Sequence, residues 1–231
     1  MRILVWGIEQ DLKVAVDKAS YLLDTANHFN IDIELIGIGH TFTTFKDRLY
    51  ILQDYLTDID PNEIILVMDG YDTLFNNDIK YATYTFLAKN TRILISAERM
   101  FTYQYPMYLD NYNKIESDYR YVNAGTFMGY AGDVNQMLTE LFELPLTTHI
   151  DQGLIGAWLH ERLDDTNRVQ LDINCEIFWV TSGDWHTLKE INGDIVNPFT
   201  NNKPFIIHNT GNADFSLRQA YENAYKNIIS F

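Results

Sequence analysis

Apolar residues in this chain arrive as short unbroken runs separated by stretches of helical spacing. Residues 3–7 form a first apolar run. From 11 to 30 the apolar positions fall at Leu12, Ala15, Val16, Ala19, Leu22, Leu23 and Ala26. That spacing predicts one helix, and the alternating stretch 31–39 predicts a second strand. Strand, helix, strand in this order predicts a right-handed crossover onto a parallel sheet. Residues 45–58 predict another helix, with Leu49, Leu52, Tyr55 and Leu56 on one side. The runs 64–68 and 92–98 read as buried strands, because central parallel strands are covered on both faces and do not alternate. Helices are expected at 79–87, 134–144 and 153–159, and strands at 121–130, 169–172, 176–180 and 205–211. Segment 101–121 is dense in tyrosine and has no clean period, as in irregular segments that fold over a site. No internal repeat, low-complexity tract or linker interrupts the pattern, so one α/β domain over residues 1–231 is expected.

Candidate chemistry collects where apolar runs end. In open α/β sheets, ligands bind beyond the carboxyl ends of the strands. The run Ile64-Ile65-Leu66-Val67-Met68 leads straight into Asp69-Gly70-Tyr71-Asp72. Two carboxylates three positions apart on a turning strand tip can converge on a hard cation such as Mg²⁺ or Mn²⁺, which bridges readily to phosphates. Asp and Gly are equally common in plain turns at strand ends. The spacing alone leaves both readings open. Arg92–Glu98 again ends in an acid. His208 closes another buried run, where an imidazole serves either as a metal ligand or as a satisfied core histidine. Asp151 precedes an apolar helical stretch, a position that helix capping alone explains. Lys46 and Arg48 near a helix start oppose the macrodipole and read as solvated charge, the alternative being that Lys46 reaches a phosphate.

Composition narrows the partners. The chain has 231 residues, 46% hydrophobic and 14% aromatic, which is enough to bury a substantial core. Lys and Arg number 17 against 32 Asp and Glu, a formal charge of −15. Such a field repels nucleic acid, and no local basic patch is evident in the sequence. No apolar run approaches the ~20 residues of a membrane span. The opening residues read as a strand rather than a signal peptide. Cys175 is the only cysteine, so an intrachain disulfide is excluded and a reducing, cytoplasmic setting is expected.

The motifs also stand in a particular order: Asp69-Gly70-Tyr71-Asp72, Ser96-Ala97-Glu98, Val122-Asn123-Ala124-Gly125-Thr126-Phe127-Met128-Gly129-Tyr130, Asp151-Gln152, and Ile206-Ile207-His208-Asn209-Thr210-Gly211. This order resembles the glycosyltransferase domain of the procollagen lysyl hydroxylase family, from the first strand to near Leu217. The resemblance implies a GT-A fold, with a Rossmann-like mixed, mostly parallel sheet flanked by helices. It implies a metal-dependent transfer of a hexose, glucose or galactose, from a UDP-sugar to an acceptor hydroxyl. Hydroxylysine-linked galactose or another glycan or protein would be the acceptor. The alternative is a catalytically silent nucleotide-sugar binding module. By the same resemblance Asp69, Asp72 and His208 would hold Mn²⁺ (or Mg²⁺), and Tyr71 would stack on uracil. Val5, Trp6 and Gly7 would line the nucleoside pocket, with Lys46 near the donor. Asn123 and Asp151 would contact the donor sugar, Asp151 also stabilising the reacting carbon, and Gly211 would lie near the diphosphate. Where the family often carries a run of aspartates before its Gln, only Asp151 precedes Gln152. Its His-Gly-Asn-Gly is here His208-Asn209-Thr210-Gly211. Retaining and inverting courses both remain open.

Overall fold

The computed structural model describes residues 1–182, 188–191 and 194–210. The predicted position Gly211 lies outside the described residues. The strands are β1 (Arg2–Trp6), β2 (Glu34–Ile36), β3 (Ile64–Asp69), β4 (Thr73–Phe75), β5 (Ile93–Glu98), β6 (Tyr121–Tyr130), β7 (Val169–Asp172), β8 (Phe178–Val180), β9 (Lys189–Ile191), β10 (Asp194–Val196) and β11 (Ile206–His208). The helices are α1 (Leu12–Lys18), α2 (Ser20–His28), α3 (Phe45–Leu56), α4 (Lys80–Ala88), α5 (Leu109–Tyr112), α6 (Ala131–Glu143) and α7 (Asp151–His160).

The main sheet has six strands in the order β2-β1-β3-β6-β5-β7. The pairs β1–β2, β1–β3 and β5–β7 are parallel, and β6 runs antiparallel to both β3 and β5. Alternation along β1 and β3 divides the core into two layers. Leu4, Trp6, Ile65 and Val67 face the layer that takes Leu49 and Leu52 of α3, Val134 and Leu138 of α6, and Trp158 of α7. Ile3, Val5, Leu66 and Met68 face the other layer, with Leu22 of α2 and Phe86 of α4. That second layer also takes Phe75, Phe178 and Ile206. These three belong to a small sheet of order β4-β11-β8.

The helix expected over 11–30 is two helices. Asp11 caps α1, and Ala19 leaves helical geometry at φ −86°, ψ 9°. Ala15 is the one buried residue of α1, while Leu12, Val14 and Val16 are exposed, so little packing holds the two in line. Helix α3 starts with a capping box between Thr44 and Asp47, which supplies an acid to the first turn. The irregular tyrosine-rich segment contains a short 3-10 turn at Pro106–Tyr108 and then α5. Strands β4, β9 and β10 were not expected. Each is three residues long, too short to show a period. Among the described residues no helix is long and apolar enough to cross a membrane.

Candidate active site

The tip of β3 meets the small sheet. Beyond Asp69 the chain turns through Gly70 and Tyr71 to Asp72, packed on the end of β1. A Cβ at Gly70 would stand 2.3 Å from the Trp6 carbonyl oxygen and 3.0 Å from Val5 Cγ1, so the turn needs glycine there. Strand β4 follows at once and pairs antiparallel with β11, setting His208 opposite Thr73. The Asn209 N–H donates to the Asp72 carbonyl at 2.7 Å. This register brings His208 Nε2 to 3.4 Å from Asp69 Oδ2 and 3.3 Å from Asp72 Oδ2.

Those three side chains offer ligand atoms within 4.8 Å of one another. His208 is 2% exposed, and neither ring nitrogen is aligned for a hydrogen bond. Buried polar atoms without partners are costly, and an ion would satisfy this one. Burial pulls the imidazolium down, but Asp72 and Asp69 more than reverse it, so His208 is pushed up to about 10 among the protein's own groups. Gly125 on β6 provides the room: a Cβ there would lie 2.1 Å from His208 Cε1 and 2.6 Å from Asp69 Oδ2. Two carboxylates and an imidazole around such a space are a fitting donor set for Mn²⁺ or a similar cation.

A buried arginine joins this cluster to Asp151. Arg48 Nη1 donates to Asp69 Oδ1, and Arg48 Nε donates to Asp151 Oδ2. Its Nη2 lies 3.4 Å from the Ala124 carbonyl, and the guanidinium is 5.6 Å from the Trp6 ring centroid. Burial disfavours the guanidinium charge, but Asp151 and Asp69 outweigh it and hold Arg48 protonated. Burial likewise raises the Asp69 carboxyl, yet Arg48 and His208 bring it below the usual range. Asp151 is pushed upward by burial, and it shares its arginine with Asp69. Asp151 is not an N-cap. It is the first residue of α7, with Ile150 at the cap position. Its Oδ1 accepts from the Gln152 N–H at 2.7 Å.

Two cavities meet across Arg48, Asp69 and Asp72. One, of about 600 Å³, is bounded by Trp6, Phe42, Phe45 and Tyr71. The Tyr71 hydroxyl lies 3.3 Å from Glu9 Oε1, and Lys18 Nζ is 5.5 Å from the Tyr71 ring centroid. The other, of about 540 Å³, is bounded by Glu98, Tyr103, Asn123, Asp151 and His208. In it Glu98 Oε1 accepts from Gln152 Nε2 at 2.8 Å and from Asn123 Nδ2 at 3.3 Å. Burial raises the Glu98 carboxyl, partly offset by those two amides and by Thr102.

The structure thus brings together Asp69, Asp72, His208, Tyr71, Trp6, Asn123 and Asp151. Val5 is fully buried behind Gly70 and is not part of either cavity wall. Lys46 also lies outside both walls, with its Nζ 5.7 Å from the Tyr50 ring centroid and 5.8 Å from that of Phe142. Among the described residues, the basic one that faces both cavities is Arg48. Its signal was its place one helical turn before Leu52, on the apolar stripe of α3. Glu98 was visible as an acid at a strand end and within the motif Ser96-Ala97-Glu98, with no role of its own assigned.

Comparison with known proteins places this geometry in a family. A family model described as the PLOD GT domain matches residues 12–229. An uncharacterized protein of Acanthamoeba polyphaga mimivirus is 26% identical over 167 residues, 68% of this chain and 33% of that protein. A multifunctional procollagen lysine hydroxylase and glycosyltransferase of Caenorhabditis elegans is 25% identical over 215 residues, 84% of this chain and 29% of that protein. The chain therefore spans about a third of the length of these curated relatives. Among solved structures, a glycosyltransferase involved in glycosylation of the major capsid of PBCV-1 superposes with TM-score 0.54 at 12% identity, covering 98% of this chain and all (100%) of that one. The galactosyltransferase LgtC, solved with donor and acceptor sugar analogs, gives 0.53 at 15%, covering 97% and 96%. At these identities the superpositions speak for the fold, and the family match carries the assignment: the chain belongs to the PLOD glycosyltransferase-domain family and has the GT-A fold.

Proposed function

We propose that this domain transfers a hexose, glucose or galactose, from a UDP-sugar to an acceptor hydroxyl in a metal-dependent reaction. The observation that carries this reading is the meeting of Asp69, Asp72 and His208 at the junction of two cavities. These three residues would hold Mn²⁺ or Mg²⁺. The cavity walled by Trp6 and Tyr71 would take the nucleoside, with Tyr71 stacked on uracil and Val5 fixing the turn from behind. Gly211 remains a candidate for contact with the diphosphate.

Breaking the sugar–phosphate bond builds negative charge on the departing diphosphate, and a bound divalent ion supplies stabilisation there. Arg48 adds a fixed positive charge beside the same junction, and its position supports it over Lys46 as the cation near the donor. Positive charge develops meanwhile on the sugar, whose reacting carbon becomes oxocarbenium-like. Asp151, held by Arg48, presents a carboxylate on that side. Asn123 and Glu98 offer polar groups to hydroxyls in the same cavity. A glycan or a protein hydroxyl, including hydroxylysine-linked galactose, is the acceptor in this reading.

The test is thermal unfolding with UDP, with and without Mn²⁺. A ligand at a hundred times its Kd stabilises by ~2.7 kcal/mol, so UDP raises Tm when Mn²⁺ is present and Asp72→Ala abolishes the rise. A UDP shift indifferent to Mn²⁺ would count against the ion site. Glucose released from UDP-glucose, or galactose from UDP-galactose, distinguishes a transferase from a silent binding module.

A further inference from the structure

We infer that the edge of the main sheet carries a second ligand site, built for a small carboxylic acid with an apolar body. It is independent of the donor reading above. A cavity of about 450 Å³ lies beside β7, the terminal strand of the six-stranded sheet. That volume is in the range of small-molecule sites. Ile115, Leu159, Leu163, Val169, Leu171 and Ile173 form its apolar wall, and Asn111, Lys114 and His160 are among its polar residues. Among the described residues none is shared with either cavity of the candidate active site. Helix α7 links the two places. Asp151 opens it and His160 closes it, ~14 Å apart along the helix axis.

His160 carries the argument. It is 8% exposed, with its ring stacked on Tyr108 at 4.0 Å and edge-on to Tyr112 at 4.7 Å between centroids. Burial pulls the imidazole down to about 4, so at neutral pH it has one N–H donor and one acceptor nitrogen. Neighbouring contacts decide which is which. Lys114 Nζ donates to Asn111 Oδ1 at 3.0 Å, which leaves Asn111 Nδ2 to face His160 Nδ1 at 3.1 Å. His160 Nδ1 therefore accepts, and the proton sits on Nε2. That Nε2 is buried and has no partner, a costly state for a donor. An acceptor oxygen would satisfy it. The same amide ties Lys114 to the ring, and Lys114 has two further N–H groups. Among the described residues no acid pairs with Lys114, whereas Lys89 across the cavity is held by Glu176 at 2.9 Å. Asp164, the acid in the wall, is exposed, so its repulsion is screened. A negative oxygen would gain a charge-assisted bond from Lys114. A sugar would strand hydroxyls against the aliphatic wall; a carboxylate on a hydrocarbon body would not.

The experiment titrates the full chain with hexanoate, 3-phenylpropionate and the neutral 3-phenylpropionamide, reading the His160 ring nitrogens by long-range proton–nitrogen NMR. The free protein should show the Nε2–H tautomer. At least one of the two acids should bind with Kd of about 1 mM or tighter, as expected for a ligand of this size, and should shift the Nε2 signal. It should bind about fivefold or more tightly than the amide. His160→Phe, which keeps a ring against Tyr108, should abolish binding of both acids. Lys114→Gln, at an exposed position, should fold normally and reduce the acid to the affinity of the amide. An Nδ1–H tautomer, no binding of either acid up to about 10 mM, or an acid preference that survives in Lys114→Gln would overturn the inference. The Mn²⁺-dependent UDP shift should be the same in wild type and Lys114→Gln, so a failure here leaves the donor reading untouched.

Discussion

Replacing Arg48 with methionine tests whether the core of the site is an ion cluster that depends on this one cation. Arg48 is 7% exposed and is the shared partner of Asp69 and Asp151. Methionine keeps much of the side-chain volume but leaves the buried Asp151 carboxylate facing the partly buried one of Asp69. Breaking a buried pair by removing one partner costs ~3–5 kcal/mol. For a chain of this length each kcal/mol moves Tm by ~2–4 °C, so Arg48→Met lowers Tm by about 6–20 °C. The same change in an Asp151→Asn background costs less, because only one carboxylate is then stranded. Urea unfolding of the four proteins of this cycle measures the coupling, expected at ~1–3 kcal/mol. If Arg48→Met costs under ~1 kcal/mol, or the two substitutions add to within ~0.5 kcal/mol, the triad is not what holds Asp69 and Asp151 in place.

Gly125→Ala forces a methyl to within 2.1 Å of His208 Cε1 and 2.6 Å of Asp69 Oδ2; the variant should lose the Mn²⁺-dependent UDP shift in thermal unfolding, and an unchanged shift would show that these side chains do not need their present positions. Glu98→Gln bears on pH. Burial raises the Glu98 carboxyl above its ordinary value, so its stabilising contribution is full below the unfolded-state pKa and is lost as pH rises through the folded value. The glutamine keeps an acceptor for Asn123 and Gln152 without the charge. Its Tm advantage over wild type should therefore be small near about pH 4 and grow towards about pH 8; an advantage that does not grow with pH refutes the assigned cause.

Strands β1, β3 and β5 of the main sheet were legible because each is a mostly apolar stretch of five or six residues, long enough to separate from helical spacing. The pair Asp69 and Asp72 was legible because both stand at one strand tip. His208 is a different case. Its approach to those acids depends on β4 and β11 pairing across more than a hundred residues of chain, and β4 is only Thr73–Phe75. No local period announces a strand that short. Lys46 and Arg48 show the same limit on one helix. Both are basic and two positions apart, but a helix sends such residues to different faces. The apolar stripe of α3 carries Arg48 into the core and leaves Lys46 beside Tyr50 and Phe142. Asp151 reads as a cap from its place before a helix, whereas its carboxylate is turned towards an arginine 103 positions away.

The pairing of β4 with β11 has a mechanical consequence. Asp69 ends a strand of the six-stranded sheet, while His208 ends a strand of the three-stranded one. An ion gripped by both would act as a clasp between two separately hydrogen-bonded layers. Any slippage of one layer past the other would stretch the coordination shell. Cation affinity would then gauge how firmly the layers are seated, and loading the cation would lengthen the lifetime of their closed arrangement.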